Sequence, residues 1–544
     1  MKRHSRTYIL LIFLHFLSKS VSAQELNLKI SSKDSIENEI LKKIDFKLKH
    51  FSKKTMLEEI EKISDKLKSI GYFNHDYSFK VENNNFNYYF NLKKKTNTVV
   101  LLQKKTHIKL KIQELKQFLK NETAKLDNQG NSFSSIKLEN ILLRKDTLYA
   151  HLKTRILKKR FIDKVIIKGY DEFPESYIEN YFSIKKETTV SKRKISEIDN
   201  KIKSLQFVKP IKKPELLFSK DSTVLYLYLK KENKSNFDGL INFTSEENKK
   251  GIKLNGHVNL LLNNTLNSGE TFEVSWKSFN RTNQSLKLFA KTPYLFNTPL
   301  TPSFSFELHK QDSTFLNSTL NSKIAYTLNY KSNLAISYNE TNSTNTLQVK
   351  DKLDVNDYSN YFLGLSYDYE IKNNQSIFSS KKFHFKISPL FGSRRSKTNH
   401  QKQLKIKSEI ENIFKINNRN SVYIKNEIGY LNSKNYLINE LFRIGGPTTI
   451  RGFNEQSYFA KQYTFINAEY RYKSSKTSQL YALLDYAYLM ELNNNKNNLT
   501  SLGAGYKQLL KNTLINIEFS LGKSKNSNFN FDNSFLSLKL SNYF

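Results

Sequence analysis

Arg443-Ile-Gly-Gly-Pro-Thr-Thr-Ile-Arg-Gly-Phe453 is a glycine-rich segment that lies between strand-like runs in the last third of the chain. The adjacent Gly445 and Gly446 impose a turn together with the proline that follows them. Gly452 permits a backbone conformation, or a close approach of another chain segment, that a side chain would prevent. The sequence therefore predicts a stiff loop that holds Arg451 at a fixed point.

The first residues predict a secretory signal peptide over residues 1–23. A positively charged start precedes the apolar stretch Tyr8–Leu17, and Val21-Ser22-Ala23 supplies small residues at the spacing that signal cleavage requires. A membrane anchor is disfavoured because a spanning helix needs about 18 or more apolar residues. The expected mature chain begins at Gln24.

The last strand-like run has the pattern of a transmembrane barrel strand. Leu536, Leu538 and Leu540 share one face, while serine and lysine side chains share the other. This alternation suits a strand with lipid on one side and water on the other. The chain ends on Phe544, as outer-membrane barrel proteins usually do, where the terminal phenylalanine forms part of a recognition signal.

Alternating runs of about ten residues fill the chain from about residue 236 onward. Phe272, Val274 and Trp276, for example, alternate with polar residues. The pattern predicts an all-β, antiparallel transmembrane barrel of about sixteen strands, eleven before the glycine-rich loop and five after it. A soluble β-sandwich also alternates, but the signal peptide and the terminal phenylalanine favour the barrel.

The region before the barrel repeats an order of strand and helix patterns. We divide it into residues 24–95, 96–160 and 161–235, as repeats with the order β-α-α-β-β, of which the third copy is the clearest and the middle copy is less regular. In the first copy, Ser35–Phe46 and Thr55–Ile70 have helical periodicity. In the middle copy, a helix is predicted from Ile108 to Leu126. The predicted fold class is thus three α+β repeats followed by the barrel of residues 236–544.

Composition limits the range of functions. The 544 residues contain no cysteine, which excludes a disulfide framework and any cysteine metal site. The net charge of +38 would indicate nucleic acid in a cytosolic protein. We expect no nucleic-acid partner here, because the signal peptide directs the chain out of the cytosol. A solvated basic surface is the favoured interpretation, with attraction to anionic lipid headgroups as the alternative.

Ile450-Arg451-Gly452-Phe453 resembles the conserved loop tip of the BamA/TamA-type outer-membrane assembly factors. The resemblance implies that the repeats are periplasmic POTRA domains and that the loop folds back into the barrel. It also implies two acidic partners for the loop arginine on the strands that follow the loop. Glu469 and Asp485 stand at the matching positions.

The same resemblance implies a function and a location. It predicts a protein of the Gram-negative outer membrane that receives unfolded barrel proteins on its POTRA domains and helps to insert them at the barrel seam. The expected partners are the lipid bilayer, these client proteins, and accessory subunits of periplasmic or lipoprotein type. No cofactor is implied.

Two alternatives remain open from the sequence. A two-partner-secretion-type transporter of one exoprotein shares the loop motif, but such proteins usually have two POTRA domains and a plug helix. A porin or structural anchor would not need the repeats. An enzyme is not expected, because the chain has no phosphate-binding loop, nucleophile motif or metal-binding spacing of histidines.

Overall fold

The computed structural model describes residues 25–103, 106–232, 234–246, 249–278, 283–311, 314–346, 355–373, 376–397, 399–525, 527–531 and 534–544. The signal peptide expected at residues 1–23 lies outside these ranges. The chain forms two compact units. The first contains two α+β modules, and the second contains a third module and a barrel.

Module 1 has a four-stranded sheet with the strand order β2-β1-β4-β3, in which β1 and β4 run parallel. Its elements are β1 (Leu26–Ser31), α1 (Ser35–Lys42), β2 (Lys49–His50), α2 (Lys53–Ser69), β3 (Asp76–Glu82) and β4 (Asn85–Asn91). Both predicted helices are present. The two-residue strand β2 lies between them and was not predicted.

Helix α2 shows why the local sequence folds as it does. The Ser52 hydroxyl accepts a hydrogen bond from the Thr55 amide and so caps the helix. Four apolar side chains spaced three and four residues apart form its buried stripe, namely Met56, Ile60, Ile63 and Leu67. Gly71 then ends the helical run with a φ of 111°, and a Cβ there would lie 2.1 Å from the Thr96 carbonyl oxygen. Only glycine fits this position without a shift of backbone.

Module 2 departs from the expected β-α-α-β-β order. Its elements are β5 (Thr98–Gln103), β6 (Thr106–Lys111), α3 (Ile112–Asn128), β7 (Ser135–Arg144) and β8 (Thr147–Arg155). The helix predicted from Ile108 begins at Ile112 because residues 106–111 pair with β5 instead. Glu114 fixes this boundary, since its carboxylate accepts a hydrogen bond of 3.2 Å from the Lys111 amide. The described order is therefore β-β-α-β-β.

Module 3 follows the predicted order with one short additional strand, Val208–Pro210, after the second helix. Its elements are β9 (Lys164–Lys168), α4 (Ser176–Asn180), α5 (Lys192–Ser204), β10 (Val208–Pro210), β11 (Glu215–Phe218) and β12 (Thr223–Lys231). Strand β12 is central, parallel to β9 and antiparallel to β10 and β11. Leu225, Leu227 and Leu229 on β12 are buried, as are Ile198 and Ile202 of α5.

The barrel is closed, antiparallel and sixteen-stranded, which confirms the predicted fold class. Eleven strands precede the loop and five follow it, as the alternation predicted. The elements are β13 (Asn236–Glu246), β14 (Lys249–Asn263), β15 (Thr271–Ser278), β16 (Gln284–Lys291), β17 (Leu300–Gln311), β18 (Phe315–Asn329), β19 (Ser332–Asn345), β20 (Tyr358–Lys372), β21 (Lys381–Ser396), β22 (His400–Lys415), β23 (Asn420–Asn432), the loop strands β24 (Phe442–Ile444) and β25 (Tyr458–Ala460), β26 (Gln462–Tyr472), β27 (Ser478–Met490), β28 (Lys496–Leu510), β29 (Thr513–Lys523) and β30 (Ser534–Tyr543).

The strands alternate in exposure as a barrel requires. Val274 and Trp276 are exposed on the outer surface, whereas Ser275 between them is buried. On β26, Ile466 and Tyr470 are exposed, while the polar residues that alternate with them are buried (Asn467, Glu469 and Arg471). Apolar side chains thus cover the outside and polar side chains line the lumen. None of the described helices is both long enough and apolar enough to cross a membrane.

Module 3 contacts the barrel turns at the end where β13 begins. The Tyr177 and Tyr294 rings meet edge to face with their centroids 4.8 Å apart. The Tyr170 hydroxyl donates a hydrogen bond of 2.7 Å to the Asn267 side chain. These contacts hold module 3 against the turns that follow β14 and β16, and we call this the module end of the barrel.

Candidate functional site

Residues 433–461, which connect β23 to β26, form a hairpin that we call the lumen loop. Strands β24 and β25 pair antiparallel, from Phe442 opposite Ala460 to Ile444 opposite Tyr458. Between them, Gly445, Gly446 and Gly452 have φ values of 119°, 95° and 75°. L-residues with side chains rarely adopt these values, so the predicted turn depends on glycine.

Arg451 at the tip of the lumen loop contacts three carboxylates on the barrel wall. Its Nε and Nη2 donate to Oδ2 and Oδ1 of Asp485 at 2.8 and 2.6 Å, which is a forked pair of charge-assisted hydrogen bonds. Its Nη1 donates to Glu469 Oε1 at 2.6 Å and lies 3.3 Å from Glu518 Oε2. The Arg451 amide also donates to Asp485 at 3.1 Å. Backbone and side chain are therefore fixed together.

The carboxylates are themselves held by neighbouring wall residues. Arg471 Nε donates to Glu469 Oε2 at 2.7 Å. The Tyr481 hydroxyl donates to Glu518 Oε2 at 2.8 Å. Asp485 is completely buried, and Arg451 is 7% exposed. Charges buried to this extent need partners, so the site is rigid only while its pairs are complete.

The residues on either side of Arg451 seat the tip by packing. Ile450 is completely buried and Phe453 nearly so, in an apolar cluster with side chains of β26, β27 and β28. A Cβ on Gly452 would lie 2.7 Å from the Gly522 backbone nitrogen, and a Cβ on Gly522 would lie 2.2 Å from the Gly452 carbonyl oxygen. The loop tip and strand β29 thus approach each other as closely as two glycines permit.

The paired glycines at 445 and 446 close the turn before the tip. The Gly445 amide donates to the Thr449 hydroxyl at 2.9 Å. The Gly446 amide donates to the Ile450 carbonyl at 3.0 Å. These bonds satisfy backbone groups that would otherwise be unpaired inside the lumen.

The structure brings Arg451 together with both acidic residues that the sequence singled out, Glu469 and Asp485. Glu518, Arg471 and Gly522 also belong to the site and were not predicted. Glu518 could have been predicted from the sequence, because it is an acidic residue on the lumen face of an alternating strand. Gly522 carried none, since nothing local to β29 indicates which loop approaches it.

The C-terminal residues lie where the last strand closes the barrel. Leu536, Leu540 and Phe544 are exposed on the outside, and Leu538 lies on the same face of β30. Strand β30 pairs antiparallel with β13 from Tyr543 opposite Asn236 to Ser537 opposite Asn242. We call this ladder the seam.

One group of side chains in the lumen has ligand types that metals use. His384, Glu409 and Glu411 present nitrogen and oxygen atoms within 4.8 Å of one another. The Lys381 ammonium lies 3.1 Å from Glu411 Oε1 and 3.2 Å from His384 Nδ1. A cation of the protein thus already lies among these groups, and the arrangement is that of an internal ion-pair network.

Two solved structures of CdiB share this fold. CdiB from Acinetobacter baumannii is 12% identical, with a TM-score of 0.54 over 96% of this chain and 91% of its own. CdiB from Escherichia coli is also 12% identical, with a TM-score of 0.54 over 90% and 97%. BamA from Haemophilus ducreyi lacking POTRA domains 1–3 is 12% identical, with a TM-score of 0.47 over 79% and 93%. No protein-family model matches the chain, and no curated protein matches it.

Proposed function

We propose that this protein is an assembly factor of the BamA/TamA type in the Gram-negative outer membrane. Modules 1 to 3 act as periplasmic POTRA domains that receive unfolded barrel proteins, and the barrel helps to fold or insert them at its seam. The protein acts without an enzymatic step and without a cofactor. The observation that carries this proposal is the length of the seam.

The seam is the shortest ladder among the described barrel strands. It joins seven residues of β13 to seven of β30, one pair fewer than the ladders β14–β15, β15–β16 and β16–β17 and two fewer than β29–β30. Fewer backbone hydrogen bonds must break to open the shortest ladder. An open seam would expose two strand edges, and such edges are templates for another strand.

The exterior of the barrel supports the membrane location. Exposed leucine, isoleucine, valine and aromatic side chains recur on the outer face of the strands, including Leu363, Phe391 and Leu484. A soluble protein rarely exposes an apolar surface of this extent. A hydrocarbon layer around the barrel would cover it.

Strand β3 of module 1 is the edge best suited to receive a client strand. Tyr77, Phe79 and Val81 are 45%, 58% and 45% exposed and share one face of this edge strand. An extended client could pair with the free backbone edge and place its own apolar residues beside them, which requires no particular sequence. Edge strand β7 of module 2 is less suitable, because a bulge between Glu139 and Leu142 interrupts it.

We expect the change Phe79→Lys to weaken client binding several-fold while module 1 stays folded. The side chain is more than half exposed, but its ring stacks on that of Tyr88 with the centroids 5.2 Å apart, so the substitution removes this contact and places a charge on the proposed docking edge. Binding of an unfolded barrel protein to the full-length protein in detergent measures the effect. Lys80→Gln, on the other face of β3, is the matched control and should bind normally. Equal binding by both variants would remove β3 from the proposal.

We also expect the full-length protein to require detergent for extraction and to migrate differently on gels before and after heating, because a closed barrel resists unfolding by detergent alone. A fragment of residues 25–160, which corresponds to the two modules of the first unit, should be soluble and monomeric. Extraction of the full-length protein by high salt alone would contradict the barrel's location in the membrane.

Depletion of the protein in its own cells tests the function. We expect quantitative proteomics of the outer membrane to register the loss of many barrel proteins. Loss of a single secreted protein, with the other barrel proteins intact, would instead indicate that this protein is a two-partner-secretion-type transporter of one exoprotein.

A further inference from the structure

The lumen loop touches the barrel wall at a second place, well before its tip. Asn439 and Glu440, which we call the corner, lie in a single turn of 3-10 helix between β23 and β24. Both are buried, at 3% and 7% exposure. The corner meets strands β18 to β22, whereas Arg451 at the tip meets β26, β27 and β29. The side-chain hydrogen bonds of Glu440 and of Arg451 thus fix the loop to two separate sectors of the wall.

Glu440 is held by a buried cation and an amide. Its Oε1 accepts a hydrogen bond from Arg394 Nη1 on β21, and its Oε2 accepts one of 2.8 Å from Gln403 Nε2 on β22. Arg394 is only 2% exposed. Glu440 Oε1 also accepts the Leu437 amide at 2.9 Å, which ties the carboxylate to its own turn. Removal of either charge would leave the other buried without its partner.

Asn439 is held equally closely by uncharged groups. Its side-chain nitrogen donates to Ser343 Oγ at 2.7 Å and to the Asn356 carbonyl at 2.9 Å. Its backbone carbonyl accepts bonds from the Asn317 amide group at 2.8 Å and from the Tyr358 hydroxyl at 3.1 Å. These four partners come from β18, β19, β20 and the segment before β20.

The corner and the Arg451 site have no residue in common. Between them, the loop forms the short β24–β25 ladder, whose Phe442 and Ile444 are buried in one apolar cluster with side chains of β23 and β26. A loop fixed at one point can pivot about it, but a loop fixed at two points on different wall sectors cannot leave the lumen unless both release.

We propose that the corner is a second anchor of the lumen loop, with Arg394 and Glu440 as its positioning pair, and that it keeps the lumen obstructed when the Arg451 contacts break. The inference concerns the loop alone and holds whether the barrel inserts proteins or transports one. The pairing of charges, rather than packing around the turn, is what holds the corner in place.

Single-channel conductance of the full-length protein in planar bilayers tests this inference. We compare the wild type, Arg451→Ala, Glu440→Gln and the double variant. Each single variant should add only brief openings, because one anchor remains. The double variant should show long-lived openings with a mean current several-fold above the sum of the two single increments. Glu455→Gln is the matched control and should resemble the wild type, because Glu455 on the same loop lies 3.9 Å from the Lys277 ammonium of β15, which is beyond hydrogen-bond distance.

Two results would overturn the inference. In one, the double variant conducts no more than Arg451→Ala alone, which means that the corner does not hold the loop. In the other, Glu440→Gln alone opens the lumen as fully as the double variant, which means that the two sites are one anchor. Heat-modifiable gel migration identifies any variant whose barrel has not formed.

Exchanging the charges of Arg394 and Glu440 tests whether charge pairing, rather than packing around the turn, holds the corner in place. In the Arg451→Ala background, Arg394→Glu or Glu440→Arg alone should give the long-lived openings, because each places like charges together. The two changes combined should return the current towards that of Arg451→Ala, since the opposite charges face each other again. If the exchange leaves the current as high as each single reversal, the pair does not position the loop and the inference fails.

Discussion

The change Arg451→Ala is expected to free the tip of the lumen loop and to remove most of the assembly activity while the barrel stays folded. It would leave Glu469, Asp485 and Glu518 close together without the guanidinium that joins them. Breaking a fully buried pair costs about 3–5 kcal/mol. We expect a smaller loss here because the lumen is hydrated. The hydrogen bonds between barrel strands do not involve the Arg451 side chain. The substitution should therefore make the loop mobile without unfolding the barrel.

Proteolysis of the loop in intact cells, together with outer-membrane protein levels, measures this effect. Arg451→Lys should fail in part, because an ammonium cannot make the forked contact with Asp485. Asp485→Asn should resemble Arg451→Ala, and the double variant should lose far less than the sum of the two. Arg395→Ala, an exposed arginine on β21, is the matched control. If the single variants kept a protease-resistant loop and normal assembly, residues 450–453 would be only a turn with no anchoring role.

Closing the seam with a disulfide is expected to stop assembly completely and reversibly. Gly239 on β13 lies opposite Leu540 on β30, so the pair Gly239→Cys with Leu540→Cys spans the seam. A Cβ at Gly239 would meet no neighbour closer than the His257 carbonyl oxygen at 3.5 Å, so the substitution fits. Oxidation should block activity and reduction should restore it.

A second pair of cysteine substitutions distinguishes crosslinking of the seam from crosslinking elsewhere in the barrel. Ile515 lies opposite Leu540 on the other side of β30, so Ile515→Cys with Leu540→Cys crosslinks a ladder that need not open. This variant should stay active when oxidised. Full activity of the oxidised seam pair would remove seam opening from the mechanism, whereas loss of activity in both pairs would indicate a general effect of crosslinking.

The barrel could be predicted from the sequence because its signal is local. Each strand carries its own alternation of apolar and polar residues, such as Val274 and Trp276 around Ser275, so eleven strands and then five can be counted without knowledge of their partners. The Arg451 site could be predicted in part for a similar reason. Glu469 and Asp485 lie on the two strands that follow the loop, on faces that the alternation identifies.

The parts that were missed depend on contacts between distant segments. Gly522 is required only because Gly452 approaches it, and the corner is held by residues of five strands and of the segment before β20. In module 2, Ile108, Leu110 and Ile112 fit a two-residue spacing, and Ile108, Ile112 and Leu115 also fit a helical stripe. Pairing with β5 decides between the two, and the first four residues of the predicted helix become β6.

The central claim is that the seam of this barrel promotes the folding of other barrel proteins. Its most direct test is the rate at which a urea-denatured outer-membrane barrel protein acquires heat-modifiable gel migration in liposomes that contain the purified protein. We predict a rate several-fold above that in empty liposomes, and a return to the empty-liposome rate when Gly239→Cys with Leu540→Cys is oxidised. An equal rate with and without the protein, or continued acceleration by the oxidised pair, would contradict the account.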